Sequence, residues 1–293
     1  YKMDESWKER FADRPITQSW PDEETIAKHQ EIKGPFTAQQ QFKDGHSPFA
    51  LMPDSIRSRA DFEQLVDGYD ASIAYADYHV GQILEELKRQ GVLDETIIII
   101  TADHGEALGE HGIYGDHVCA DEAVNRIPLI IRWPGVTRGR TCDAFYYNVD
   151  LSATLCEMAG ADIPEHYDGR SFLNEIRGEA TQPGRDYLVW GHGLYTLQRA
   201  VRTRDYLLVR TYDDFGYPFK PVELYEIESD PHQTNDVAAQ KPEVVSQMDH
   251  LLVEWLHEQS SKPTSIADPL QVELRERKNR TVASHILGVR RNP

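Results

Sequence analysis

The chain has 293 residues, with 31 lysines and arginines against 49 aspartates and glutamates, a formal net charge of −18. That length suffices for one large domain or two unequal ones around a buried core, and 40% hydrophobic with 10% aromatic residues excludes wholesale disorder. The charge argues against a nucleic acid or an anionic membrane surface as partner, and an anionic substrate would need something local and positive to overcome that background. Cys119, Cys142 and Cys156 are too few and too scattered for a disulfide framework, and none stands in a Cys-x-x-Cys pair. No apolar run approaches the ~20 residues that span a bilayer. The opening Tyr1-Lys2-Met3-Asp4-Glu5 carries no signal-peptide pattern and reads as the interior of a longer protein, so cytoplasmic and periplasmic settings both stay open.

Residues 1–60 are polar and broken by Pro15, Pro21, Gly34, Pro35, Pro48 and Pro53, which predicts loops and short helices able to cover a cleft. Over 60–89, Ile73, Ala76, Val80, Ile83, Leu84 and Leu87 recur at helical spacing, with Gly91 as the stop. Residues 96–101 are a short β-branched apolar run, expected to be covered on both faces as strands of parallel sheets are. A second buried strand is expected at 127–133, ended by Pro134-Gly135, then a helix at 150–159 with Leu151, Leu155 and Met158 on one face. This alternation predicts an α/β layer with a mostly parallel central sheet flanked by helices. Beyond about residue 180, the runs 187–190, 200–203, 206–212 and 223–227 predict an antiparallel meander. Residues 242–258 predict a helix that turns Val244, Val245, Met248, Leu251, Leu252 and Trp255 inward. The expected organisation is an α/β part over 1–180, a small α+β subdomain over 181–260 and a basic tail over 261–293. That tail carries Arg275, Arg277, Lys278, Arg280, Arg290 and Arg291, and is either solvated or docked on the acidic body.

In open α/β sheets, ligands bind beyond the carboxyl ends of the strands. Directly beyond the isoleucine strand stands Thr101-Ala102-Asp103-His104-Gly105-Glu106. A carboxylate oxygen from Asp103 and an imidazole nitrogen from His104 make half of a divalent-metal site, and Gly105 lets the backbone turn so that both converge. A bound cation would also supply the missing positive charge and polarise an anionic ester. The same residues equally suit a helix N-cap at Asp103 with a surface imidazole at His104. The next segment is dense in titratable groups: Glu106, Glu110, His111, Tyr114, Asp116, His117, Asp121 and Glu122. Acid–base residues are expected in such a loop, although each one alone is a weak signal. His192, between two glycines, suits a ligand approach or a turn, Asp230-Pro231-His232 reads as turn chemistry, and Tyr69, Tyr75 and Tyr78 as core or interface.

Tyr69, Ile73, Asp77 and residues 81–87, followed by 96–101, Asp103-His104-Gly105-Glu106, Leu108-Gly109-Glu110-His111-Gly112 and Arg126-Ile127-Pro128-Leu129-Ile130, resemble in this order the second half of the sulfatase family. That family belongs to the alkaline-phosphatase-like superfamily of metal-dependent ester hydrolases. The likeness continues through Trp133-Pro134-Gly135, Asp168-Gly169-Arg170-Ser171 and Glu223-Leu224-Tyr225-Glu226-Ile227, covering in all about residues 60–258. It implies hydrolysis of a sulfate monoester, with Asp103 and His104 as ligands of one divalent cation. Calcium is usual in sulfatases, and manganese or zinc occurs in phosphonate and phosphodiester relatives. Many members place a lysine a few residues after the glycine that follows the position of His111. Here Asp116 stands in that place and His117 is the nearest group able to be cationic. His117 is therefore the candidate to contact the substrate anion or protonate the leaving oxygen, a plain loop residue being the other reading.

The family's nucleophile is a formylglycine made from Cys or Ser in a Cys/Ser-x-Pro/Ala-x-Arg motif, and no cysteine or serine here fits it. The paired aspartates of the family's first strand and its His-x-Pro segment are missing too. The resemblance thus implies an incomplete chain, inactive alone, with the nucleophile and half the metal shell on an N-terminal part. The alternatives are a phosphodiesterase or phosphonate monoester hydrolase on the same scaffold, and a non-catalytic sulfatase-like module. Expected partners are a small-molecule or carbohydrate sulfate ester and the N-terminal half or a second copy of the chain, with no nucleic acid and no membrane span.

Overall fold

A computed structural model describes residues 6–7, 16, 18–39, 47, 52–179, 184–262, 265 and 267–287. The expectations for residues 1–5, Pro15, Pro48, Arg290, Arg291 and the Arg280 side chain lie outside the described residues. The chain forms two compact units, Tyr1–His117 with Arg126–Thr137 and Gly216–Pro218, and Val118–Asn125 with Arg138–Phe215 and Phe219–Pro293.

In the first unit, helix α1 (Glu23–His29) starts at Asp22, whose carboxylate accepts the Thr25 N–H at 2.8 Å. Helix α2 (Arg59–Arg89) starts at a capping box: the Ser58 hydroxyl accepts from the Asp61 N–H, and the Asp61 carboxylate accepts from the Ser58 N–H at 2.9 Å. The first half of α2 is anchored, with Phe62 and Leu65 in a core with Ile26, Ala38, Met52, Ile56 and Tyr114. Deleting the Phe62 ring from that core would cost about 3–5 kcal/mol. The second half buries nothing, although its apolar spacing predicts a covered face: Ile73 is 53% and Ile83 61% exposed.

Strands β1 (Ile98–Thr101), β2 (Ala107–Leu108), β3 (Tyr114–Asp116) and β4 (Leu129–Arg132) complete this unit. β1 pairs antiparallel with β4, from Ile98 opposite Arg132 to Thr101 opposite Leu129. The two strands stand where the sequence predicts them, but neither is covered on both faces: β1 runs from half-buried to exposed, and Ile130 of β4 is 59% exposed. Every strand pair among the described residues is antiparallel, so the parallel order expected of the central sheet is not found among them. A two-stranded layer has neither the further strands that set parallel order nor the flanking helices that bury both faces.

The second unit holds α3 (Glu122–Asn125), α4 (Asn148–Met158), α5 (Leu173–Arg177), β5 (Leu188–His192), β6 (Leu197–Arg202), β7 (Tyr206–Asp213), β8 (Val222–Glu226), α6 (Pro242–Ser261) and α7 (Pro269–Leu287). Strands β5-β6-β7-β8 form the expected antiparallel meander in sequential order. Strand alternation sends Val189, Val201, Leu208 and Leu224 to one face, where Met248 and Leu252 of α6 cover them, and Ala200, Leu207, Val209 and Tyr225 to the other. In α4 the buried face is Asp150, Ala153 and Thr154, and Leu155 of the expected face is exposed. The reason is Asp150: its carboxylate accepts the N–H groups of Tyr147 (2.8 Å) and Arg170 (2.7 Å) and both Arg185 guanidinium nitrogens, which turns that face inward. The expected basic tail starts as a docked helix, α7. Asp268 pairs with Arg199, and Arg277 donates to the Leu194 carbonyl at 2.8 Å while facing Asp213 at 3.3 Å. Among the described residues no helix is long and apolar enough to cross a membrane.

Candidate metal and ester site

The first unit's core sets the position of β3. Tyr114 is fully buried, its hydroxyl 2.7 Å from Nδ1 of His29 and its ring edge-to-face with Phe62, while its N–H donates to the Phe36 carbonyl at 2.8 Å. Between β2 and β3 the chain reverses through Gly109, His111 and Gly112, all with positive φ. Gly112 (φ +76°) has a second requirement, since a Cβ there would lie 2.3 Å from Ile32 Cδ1. The Glu110 carboxylate is buried in the reversal and accepts the Leu108 N–H at 2.8 Å, which is a structural duty. Pairing of Ala107 with Asp116 then returns the chain to the end of β1 and lays His117 on His104, ring centroids 3.9 Å apart and planes 28° apart.

Asp103 and His104 follow β1 directly. The Asp103 Oδ1 accepts the His104 N–H at 3.1 Å, and Oδ2 lies 3.9 Å from His104 Nε2. Nδ1 of His104 lies 2.8 Å from the Gly105 carbonyl, so Nδ1 carries the hydrogen and Nε2 turns its lone pair outward. Backbone N–H groups at Asp103 and His104, then the His104 charge, hold the Asp103 carboxyl below its usual range. The chain continues into a turn and β2 rather than a helix, which removes the N-cap reading of Asp103. An exposed ionised carboxylate and an outward imidazole nitrogen at this separation can share one cation at ligand distances of about 2.0–2.6 Å, so the donors fit a divalent metal.

Two more acids stand beside the pair. Burial pushes the Glu106 carboxyl up to about 7, assisted by the Asp116 charge and opposed by His104. Burial also raises Asp116, whose Oδ1 accepts the His117 N–H at 2.7 Å and lies 3.6 Å from His117 Nδ1. Asp103, His104 and His117, singled out from sequence, are thus brought together. Ligand atoms of His104, Glu106 and His117 lie within 4.8 Å of one another, and these three could hold a metal ion. The sequence named Glu106 only as one of many titratable groups. Its signal is its place as the last residue of Asp-His-Gly-Glu, at the end of the same strand.

The remaining candidates have other duties. Asp121 accepts the Val124 N–H at 2.8 Å and the Cys119 thiol at 3.3 Å, and Glu122 pairs with Arg202. Asp230 accepts the N–H groups of Thr234 and Asn235 at 2.9 Å, the turn chemistry expected there. Tyr75 and Tyr78 stand edge-to-face with Trp7, and His192 ends β5.

A family model described as Sulfatase matches residues 7–161, and one described as N-sulphoglucosamine sulphohydrolase, C-terminal, matches residues 109–261. N-acetylglucosamine-6-O-sulfatase of Bacteroides thetaiotaomicron is 30% identical over 221 residues, which cover 72% of this chain and 38% of the relative. Arylsulfatase K of Bos taurus is 30% identical over 194 residues, covering 63% of this chain and 35% of the relative. A solved structure described as a complex with its substrate D-glucosamine-2-N,6-O-disulfate is 28% identical with a TM-score of 0.63, over 71% of this chain and 44% of that one. The phosphonate monoester hydrolase of Silicibacter pomeroyi shares the fold, with a TM-score of 0.66 at 22% identity over 85% of this chain and 50% of that one. The chain spans about two fifths of the length of the curated relatives it matches.

Proposed function

The chain belongs to the sulfatase family, and on that premise we propose that it forms one side of the active site of a metal-dependent hydrolase of sulfate monoesters. The observation that carries this reading is the Asp103–His104 pair at the end of β1, its donor atoms 3.9 Å apart and turned outward. Asp103 and His104 hold one divalent cation, calcium in this reading, with further ligands and a formylglycine nucleophile supplied by residues outside this chain. When bound, the cation acts as a Lewis acid on the ester's anionic oxygens. Asp103 contributes the negative charge that binds it, and the Gly105 carbonyl keeps His104 in the ligating tautomer. His117 approaches the ester from the β3 side, contacting the anion or passing a proton to the departing alcohol oxygen, with Asp116 orienting its ring. A sulfated carbohydrate is the favoured substrate class, supported by relatives named for N-acetylglucosamine and N-acetylgalactosamine sulfates.

The same reading gives a role to the exposed isoleucines of the first unit. Ile73 and Ile83 of α2 with Ile100 and Ile130 of the strand pair form the seat for the rest of the α/β domain, supplied by the same polypeptide or by a second chain. The decisive experiment is an assay of the complete enzyme containing this chain against glucosamine 6-sulfate and bis(4-nitrophenyl) phosphate. Calcium-dependent sulfate release that disappears in Asp103→Ala is the expected result. Preferential turnover of the phosphodiester would transfer the site to the phosphonate and phosphodiester branch, and no turnover of either ester would leave a non-catalytic module.

A further inference from the structure

We propose that His104, Glu106 and His117 form a second cation site, selective for a transition metal of the zinc class and overlapping the Asp103–His104 pair. Their donor set is two imidazole nitrogens and one carboxylate oxygen, with ligand atoms within 4.8 Å of one another. Such a set suits zinc with a fourth position left open, whereas calcium takes six to eight ligands, mostly oxygens, of which this group supplies only the Glu106 carboxylate. The surroundings of the two rings point the same way. Nδ1 of His104 is held by the Gly105 carbonyl at 2.8 Å, and Nδ1 of His117 faces Asp116 at 3.6 Å. Each imidazole therefore has an oxygen on its Nδ1 side and offers Nε2 to a ligand, the arrangement that orients metal-binding histidines.

The geometry also requires only local movement. Tetrahedral zinc with ligands at about 2.0–2.2 Å needs donor separations of about 3.3–3.6 Å, so the three side chains must draw in by rotation. The His104 and His117 side chains are 40% and 39% exposed, so the stacked rings can turn out of their stack toward a shared ion without disturbing the core. Asp103 takes no part in this site: its side chain is 91% exposed and stands outside the group of three. Because both sites need His104, they exclude each other. Resting on the function proposed above, zinc occupation would withdraw both His104 and His117 from ester hydrolysis and so inhibit it.

The test uses the present chain, purified free of metal, with Zn2+ titrated by calorimetry and Co2+ followed by its visible absorption. One equivalent of Zn2+ should bind, Co2+ should show the intense bands of a four- or five-coordinate ion, and Ca2+ at equal concentration should displace neither. His117→Ala and Glu106→Gln should each weaken Zn2+ by about tenfold or more, while Asp103→Asn leaves it within about threefold. Circular dichroism and melting verify that the variants fold, and Glu106→Gln preserves the side-chain volume. Unchanged Zn2+ affinity in Glu106→Gln and His117→Ala, sensitivity to Asp103→Asn alone, or displacement by an equal concentration of Ca2+ would each overturn the proposal. The two readings fail separately. Sulfate-ester turnover by the complete enzyme with no Zn2+ bound to this chain sinks only the second site, and Zn2+ binding as described without such turnover sinks only the hydrolase.

Discussion

The imidazole of His117 lies against that of His104, centroids 3.9 Å apart, because the β2–β3 hairpin folds back onto the end of β1. This contact places the His117 ring beside the proposed cation. In the complete enzyme, His117→Ala should leave a folded protein whose kcat falls by about 10²–10⁴-fold, the range for loss of a general acid. Asp103→Ala should remove the cation and turnover together, read by elemental analysis beside kinetics. Near-normal rates in His117→Ala would assign the proton to another group.

The hairpin depends on Gly112, where positive φ coincides with the approach of Ile32. Gly112→Ala should destabilise the first unit by about 1–3 kcal/mol and loosen the His104–His117 contact. Denaturant midpoints measure the first effect, and the separation of the two ring environments in NMR measures the second. A variant with wild-type midpoint and spectrum would show that the turn tolerates a Cβ.

In the second unit, Asp150 is completely buried and paired with Arg185. Asp150→Ala would leave that guanidinium and two backbone N–H groups without their acceptor, at a cost of about 3–5 kcal/mol. Loss of the α4 packing should appear as a lowered Tm. A shift within that of ordinary surface substitutions would contradict the assignment.

Two buried groups give opposite pH limbs. Burial lowers His29 from 6.5 to about 4, so its contribution is complete above about pH 6.5 and is lost as pH falls towards 4 and the unfolded chain takes up the proton. Burial raises Glu223, which accepts the Tyr225 hydroxyl at 3.0 Å, from 4.5 to about 7. Its contribution is complete below about pH 4.5 and is lost as pH rises through 7. Each limb is worth on the order of 3 kcal/mol. Denaturant midpoints between pH 4 and 9 should show His29→Gln removing a rise of stability with pH between about 4 and 6.5, and Glu223→Gln removing a fall between about 4.5 and 7, and unaltered profiles would discount these groups.

The uncovered isoleucines make a prediction about association. At rising concentration the chain alone should self-associate and bind a hydrophobic dye, as exposed apolar patches do. The pair Ile83→Lys and Ile130→Lys should keep it monomeric in light scattering, with stability altered by no more than about 0.5 kcal/mol per site. A monomeric, dye-silent parent chain would refute the role assigned to these isoleucines.

Local sequence was sufficient for the elements. Apolar spacing, Gly91 as a stop, β-branched runs and turn residues placed α2, β1, β4, the meander and α6 within a few positions, because these signals act between near neighbours along the chain. Spacing could not say which apolar stripe is covered. Ile73 and Leu155 stay exposed because cover depends on what another segment brings, and in α4 a carboxylate held by Arg185 outweighs the leucine face.

The site divides in the same way. That Asp103 and His104 sit together beyond a strand was legible, since they are adjacent and β1 ends beside them. That His117 joins them, that Glu106 faces the two rings, and that Glu110, Asp121 and Glu122 are taken up by capping and ion pairs was decided by tertiary structure alone. A hairpin register, a buried tyrosine and a glycine pressed on Ile32 brought distant side chains within ångströms, and no rule of spacing along the chain encodes such a meeting.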